Sequence, residues 1–335
     1  MYNIAKLNDE QRKNIFNNYV LSYGGNLSIV EKDFWVTLML DYLFHKSIYK
    51  DYFIFKGGTS LSKCFKIIDR FSEDIDLILK WKILTNDNPN IERSKTQQDK
   101  YNHLLNDLAA DFIKNKLLPS LSKDFKDIIN GDFKFEIDID DPQTINFYYP
   151  IVNDNISFSI LKHIKLEIGP LAAHSPVEET KISPFISKLN LTIFKNMETN
   201  IVTVLPQRTF WEKILILHQE ANRPDEKRVP LRYSRHYYDV YKISLTKYKD
   251  IAYGDLDLLK MVKEFKNKFY PSSWANYLTA APGTFKLIPS PKHIIELEKD
   301  FKQMKEMLND NSINDFMELL SYIKTIEEEL NQLKI

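Results

Sequence analysis

The sequence predicts an α/β (α+β) fold, a mixed sheet with flanking helices, followed by a mainly helical C-terminal domain. Short aromatic and β-branched runs with period-two alternation recur between residues 52 and 168. Amphipathic helical spacing precedes and interrupts them, and beyond Gly169-Pro170 it prevails to the end. At 335 residues the chain is more than twice the usual domain length, so the change of pattern reads as a boundary. Residues 1–170 form the α/β domain with its N-terminal helices, and 171–335 the helical domain.

Asp9 to Val20 and Ser28 to Phe44 have helical spacing, the second through Ile29, Phe34, Val36, Leu38, Leu40 and Leu43, with Ser28 as its N-cap. Tyr52 to Phe55 reads as a strand that stops at Gly57-Gly58 and feeds a helix through Leu61, Phe65 and Ile68. Asp74 to Leu79 is a second strand, alternating acid and aliphatic. A polar loop at 81–95 leads into a long helix, 96–118, ending near Pro119 and read as an insertion. Phe133 to Ile139, Thr144 to Ile151 and Ser157 to Ile168 alternate with period two, among turn signals at Asn130-Gly131, Asp140-Asp141-Pro142 and Asn153-Asp154-Asn155. They suggest an antiparallel meander completing the sheet. A loop-rich stretch with Pro176 and Pro184 follows, then helices near 208–221 and 234–247. Two charged amphipathic helices, Pro291 to Leu308 and Ile313 to Leu333, close the chain.

Composition narrows the function classes. The balance of 43% hydrophobic and 27% charged residues is that of a globular protein, which excludes general disorder. Forty-six basic residues meet 46 acidic ones, so attraction to nucleic acid or anionic lipid must be local. The single cysteine, Cys64, excludes an internal disulfide framework and thiolate-rich zinc sites. No apolar leader follows Met1 and no apolar run approaches the roughly 20 residues of a membrane span. A soluble cytoplasmic protein with no membrane association is expected.

With only eight glycines in the chain, Gly57-Gly58 between a strand and a helix calls for a reason. Glycine lets the backbone turn sharply and approach a ligand, a helix N-terminus favours phosphate, and Thr59 and Ser60 add hydroxyls. A ligand-free tight turn would use the same residues. Asp74 and Asp76, at i and i+2 of a strand, share a face. Alone they suit either a solvated strand end or a hard cation, Mg²⁺ or Mn²⁺. One helix after the glycine turn, the second reading gains, because a phosphate cradle and metal ligands then meet at neighbouring strands. Glu167, opposite in facing to Leu166 and Ile168, is the best placed third carboxylate, for a metal or to take a proton from an attacking hydroxyl.

Downstream, Thr209 can cap a helix that presents Glu212 and Lys213, a point charge suited to a triphosphate or to a structural pair. Asp239 stands four residues after Arg235 and could simply pair with it; His236 reads as a substrate contact or a structural histidine. Between Pro206 and Lys249 ten basic residues outnumber five acidic ones, with Tyr233, Tyr237, Tyr238 and Tyr241 interleaved. That composition suits single-stranded or acceptor-end RNA, or a basic helical face with its tyrosines turned inward.

Gly57-Gly58-Thr59-Ser60 followed by Arg70-Phe71-Ser72-Glu73-Asp74-Ile75-Asp76-Leu77 resembles the minimal nucleotidyltransferase superfamily and, more narrowly, the AbiEii/AbiGii toxin family. Glu31-Lys32-Asp33-Phe34-Trp35-Val36 looks like that family's N-terminal signature, and Thr209 to Ile214 and Arg235 to Tyr241 like its downstream motifs. The resemblance implies a nucleotidyltransferase-like sheet and a bacterial toxin of an abortive-infection or toxin–antitoxin pair, acting in phage defence. It further implies transfer of a nucleotide from an NTP, with Mg²⁺ or Mn²⁺, to RNA such as a tRNA acceptor end, and a cognate antitoxin from the adjacent gene. Carried over, Ser60 and Lys213 would bind the nucleotide phosphates and Asp239 would support the site, with Gly57, Gly58, Thr59, Arg70 and Ser72 completing the nucleotide-binding set; Asp74 and Asp76 would hold the metals, where Glu167 joins them by its place on the strand. Those three acids with Lys213 make up the catalytic set, and Arg228, Arg232, Arg235 and His236 the acceptor contacts. A metal-dependent RNase and a non-catalytic module binding RNA or protein are the alternatives.

Overall fold

Helix α1 (Tyr2–Ala5) leads into α2 (Asp9–Tyr23), which opens with a reciprocal capping box between Asn8 and Gln11. In α3 (Leu27–Asp41), 12 of 15 residues are buried, so its Glu31, Lys32 and Asp33 must each find a partner inside the protein. Its cap is Asn26, whose side chain accepts from the Ser28 amide, and not the expected Ser28. Ser28 is buried and its hydroxyl accepts from Asn153 Nδ2 at 2.9 Å.

Strand β1 (Phe53–Lys56) runs straight into α4 (Gly57–Lys63), and β2 (Ile75–Leu79) follows. Helices α5 (Lys95–Phe112) and α6 (Leu118–Asp124) flank a π-helical turn. Pro119 therefore does not end the helix: it sits in the first turn of α6, where its missing N–H is not needed. Nor is this stretch a peripheral insertion, since Ala109, Phe112 and Leu121 lie in the sheet's hydrophobic core. The remaining strands are β3 (Lys134–Ile137), β4 (Thr144–Tyr148), β5 (Ile164–Gly169), β6 (Val177–Ile182) and β7 (Thr199–Val204). The computed structural model describes residues 1–70, 72, 74–153, 161–171, 175–189, 197–305, 308 and 312–334, so 157–160 of the expected third meander strand fall outside them.

The seven strands form one mixed sheet in the order β3-β4-β5-β2-β1-β7-β6. The meander β3-β4-β5 is antiparallel as expected; β2 pairs antiparallel with β1 and parallel with β5, and β1 parallel with β7. Phe55, Ile75, Leu77, Ile145, Phe147, Ile164 and Leu166 turn to one face and join Phe34, Trp35 and Leu38 in the core. Asp76 of β2, Thr144 and Asn146 of β4, and Lys165 and Glu167 of β5 turn to the other face, which is polar there, while Ile54 and Ile78 are buried on it further along β1 and β2.

Two compact units result, Met1–Cys64 with Ser72–Thr203, and Phe65–Phe71 with Val204–Ile335. The expected boundary at 170 falls too early because β6 and β7, within the stretch read as loop, add two strands to the sheet. The second unit holds α7 (Pro206–Ala221), α8 (Ser234–Ser244), α9 (Lys247–Tyr253), α10 (Leu256–Phe269), α11 (Pro291–Lys305) and α12 (Phe316–Gln332). There α7 packs on α8, α9 and α10, and α8 on α11 and α12. Among the described residues no helix is long and apolar enough to cross a membrane.

The three charges of α3 brace the sheet unit. Glu31 accepts from the Val152 amide at 2.9 Å, Lys32 donates to the Leu161 carbonyl at 2.9 Å, and Asp33 pairs with Lys63 at the end of α4 while accepting from the Phe185 amide at 2.7 Å. Burial pushes the Glu31 carboxyl from its ordinary 4.5 to about 7, against the pull of the Val152 amide and Arg12. A carboxyl raised in the folded state contributes stability that is complete below 4.5 and lost as pH rises through about 7. Glu31→Gln keeps an oxygen for Val152, so between about pH 5 and about pH 7.5 it should gain about 2–3 kcal/mol on the wild type, read by urea unfolding at both values.

Candidate active site

Register places the acidic residues. Asp76 is level with Lys56 on β1 and with Glu167 on β5, while Ile75 and Leu77 on either side of it point into the core. Glu167 is exposed between buried Leu166 and Ile168, as its alternation predicts. Two carboxylates on the same rung of neighbouring strands repel one another, a cost that a cation relieves.

The glycine turn is built against this row. Gly57 has φ +82, and a Cβ there would fall 1.9 Å from Asp76 Oδ2, so both the backbone angle and the space demand glycine. The hydroxyls after it are used by the chain itself. Thr59 Oγ1 donates to the Asp74 carbonyl at 2.5 Å and lies 2.8 Å from Ser72 Oγ; Ser60 Oγ donates to the Gly57 carbonyl at 2.9 Å. Both residues are buried: Thr59 ties α4 to the residues entering β2, and Ser60 closes the first turn, where Gly58 also lies. Phe71 and Glu73 of the same motif lie outside the described residues.

Among the described residues no three His, Cys, Asp or Glu side chains are gathered as a metal site, so Glu167 stands beside the Asp74/Asp76 pair without completing a three-ligand cluster. The pair itself fits a hard cation. Asp74 Oδ1 is buried with no hydrogen-bond partner among the described residues, and Asp76 is pressed against the glycine turn. An orphaned carboxylate oxygen beside a second carboxylate matches the oxygen ligands that Mg²⁺ or Mn²⁺ takes.

A second cluster lies within the helical unit. Asp239, fully buried, receives Arg70 through Nε at 2.8 Å and a terminal guanidinium nitrogen at 2.9 Å, and Lys213 Nζ at 2.8 Å. It does not bridge to Arg235: helix α8 turns it toward α7 and Arg70 instead. Burial alone would raise its carboxyl, but the Arg70 and Lys213 charges outweigh that and hold it well below the usual carboxylate range. Burial lowers the Lys213 ammonium, with Asp239 opposing. Burial, then Lys213 and Arg235, push the His236 imidazole well below its ordinary value. Its Nδ1 lies 3.3 Å from Lys213 Nζ and accepts from it. Two cations share one carboxylate, which leaves positive charge in the cluster. Thr209 does not cap α7, which starts at Pro206 and leaves Thr209 buried in its second turn; Glu212 instead pairs with Arg208 at 3.0 Å.

The candidate acceptor residues fare differently. Arg228 and Arg232 are exposed, and Arg235 and His236 half-buried. Asp300 of α11 accepts from the Arg232 amide at 2.5 Å and the Ser234 amide at 2.9 Å, capping an α8 that has no side-chain cap of its own. Sequence spacing could not reveal a cap lying 66 residues away. Tyr237, Tyr238 and Tyr241 are buried, the inward-turned one of the two arrangements their sequence allowed: their rings fill the packing of α8, Tyr237 edge-on to Phe316 at 5.4 Å.

Residues 40–322 match the family described as nucleotidyl transferase AbiEii toxin, type IV toxin–antitoxin system, and the chain belongs to that family. Membership implies an antitoxin partner. No curated protein matches the sequence. Among solved structures, the nucleotidyltransferase toxin MenT4 of Mycobacterium tuberculosis is similar at 14% identity and a TM-score of 0.44, covering 98% of this chain and 100% of its own.

Replacing Asp239 by Ala removes the carboxylate shared by two buried cations. The expected loss is about 3–5 kcal/mol of stability, measured by denaturant unfolding, and Asp239→Asn should lose less because it keeps the shape and one acceptor oxygen.

Proposed function

We propose that this toxin transfers a nucleotide from an NTP to RNA, such as a tRNA acceptor end, with Mg²⁺ or Mn²⁺. The observation that carries this reading is the contact of Gly57 with Asp76, which sets a glycine turn able to approach phosphate directly against a carboxylate of the acidic pair. Asp74 and Asp76 would hold the cation, which when bound supplies positive charge at the triphosphate. The Gly57-Gly58 backbone takes phosphate oxygens, and Thr59 and Ser72 keep Asp74 in place. In the helical unit Lys213 and Arg70, fixed by Asp239, offer charge to phosphates.

In the reaction the acceptor hydroxyl oxygen bonds to the α-phosphorus, the bond to the bridging oxygen breaks, and pyrophosphate leaves. Glu167 takes the hydroxyl proton, a role that its exposed carboxylate beside Asp76 supports. Arg228, Arg232, Arg235 and His236 would meet the acceptor's phosphates. The partner antitoxin is inferred to come from the adjacent gene.

The test is incubation of the protein with Mg²⁺, each α-labelled NTP in turn and total RNA, followed by separation of RNA from protein. Label should enter RNA with one NTP. Asp74→Ala should lower it by about 100-fold or more with no fall in melting temperature, since Asp74 Oδ1 has no hydrogen bond to lose. An active Asp74→Ala enzyme would sink the mechanism, and label on a protein band would replace RNA by a protein acceptor.

A further inference from the structure

The polar face of the sheet continues past Glu167 in a way the reaction above leaves unused. Thr144 on β4 is level with Glu167, and Asn146 with Lys165, so these four side chains share the face of Asp76 while Ile145, Phe147, Ile164 and Leu166 are buried on the other. One rung further, the rings of Tyr148 and His163 lie 5.1 Å apart. Asn146 is 8% exposed, yet its Oδ1 has no hydrogen-bond partner among the described residues, and the same is true of His163 Nε2. Buried polar atoms left without partners in a folded chain call for an explanation, and two of them side by side on an otherwise polar sheet face point to a bound group.

The orientation of the Asn146 amide is fixed. Asp138 accepts from Asn146 Nδ2 at 3.0 Å, from Lys165 Nζ at 3.1 Å and from the Asp140 amide at 3.0 Å, so Nδ2 is engaged and Oδ1 is the atom on offer. An oriented carbonyl acceptor, an imidazole nitrogen, an aromatic ring and a cation within two rungs are what a nucleoside with its phosphate requires. Position decides which nucleoside. In-line displacement sets the attacking and leaving oxygens on opposite sides of the α-phosphorus. The glycine turn lies at the β1 side of Asp76, whereas Glu167 and then Asn146 follow on β5 and β4 at the other side.

We infer that Asn146, His163, Lys165 and Tyr148 form the subsite for the terminal nucleoside of an RNA acceptor. This rests on the nucleotidyl-transfer reading and adds to it a binding site within the sheet unit, apart from the arginines of the helical one. Asn146 Oδ1 accepts from a base N–H or ribose hydroxyl, Tyr148 lies against the base, and Lys165 meets the adjoining phosphate.

The experiment compares the wild type with Asn146→Leu and Lys165→Gln in three measurements. These are binding of a fluorescein-labelled single-stranded RNA oligonucleotide by anisotropy across a salt series, binding of a non-hydrolysable NTP analogue with Mg²⁺ by calorimetry, and melting temperature. RNA affinity should fall about tenfold in each variant, and Lys165→Gln should reduce the salt slope by about one. Analogue affinity should stay within about twofold, because the subsite is on the acceptor side. Asn146→Leu also gives up the hydrogen bond to Asp138 and should melt slightly lower, so unchanged analogue affinity is the readout that separates a lost subsite from a loosened fold. Unchanged RNA affinity in both variants would overturn the subsite, as would an equal loss of analogue affinity, which would assign the pocket to the donor nucleotide. If the wild type bound RNA but not the analogue, the nucleotidyl-transfer reading itself would fail, and the subsite with it. Lys165 is 30% exposed at its side chain, so Lys165→Gln remains a fair test even if Asn146→Leu did not fold.

Discussion

The contact between Gly57 and the Asp76 carboxylate constrains everything around it. With φ +82 and a Cβ that would clash with the Asp76 side chain, no other residue fits without moving the Asp76 carboxylate or the turn. Because β1 and β2 are hydrogen-bonded neighbours, that single approach fixes where α4 starts, which side of β2 faces it and how Thr59 reaches back to the Asp74 carbonyl. Helix α4 is only seven residues long and could not hold this position by its own hydrogen bonds. Thr59 secures one end, and the buried Lys63–Asp33 pair the other.

Buried charge is handled by the same means in both units: each ion is given a specific partner and becomes a tie between distant segments. In the sheet unit Glu31, Lys32 and Asp33 reach from one helix to the chain after β4, the chain before β5 and the end of α4. In the helical unit Asp239 gathers Arg70 and Lys213, which are 169 residues and one helix away respectively. Removing one member of such a group leaves the others desolvated, which is why these residues can be indispensable to the fold without touching a substrate. Asp74, Asn146 and His163 are among the residues that keep a buried polar atom no described residue satisfies, and these three belong to the polar sheet face that carries the proposed chemistry.

Much of the sheet was legible because local pattern and burial agree there. Alternation in Asp74 to Leu79 and in Ile164 to Ile168 assigned the correct face to Asp76 and Glu167 before any pairing was known. It was less legible where context overrides propensity. The strands β6 and β7 were hidden between prolines: β6 has mostly exposed side chains at the sheet's edge and no buried alternation to display. Helix α5 with α6 looked like an insertion because polar residues dominate its sequence, although its Ala109, Phe112 and Leu121 complete the core.

The sequence by itself determined the nucleotidyltransferase-type motif, the side of each strand that bears acid, and the family, because these depend on residue identity and on periods of two and 3.6. Tertiary structure alone decided which partners those residues keep. Thr59 and Ser60 turn to their own backbone, Asp239 chooses Arg70 and Lys213 over its helical neighbour Arg235, three tyrosines go inward, and Asn146 is left with one oriented and unanswered oxygen. Such choices come from desolvation and charge among segments far apart in the chain, and no local spacing carries that information.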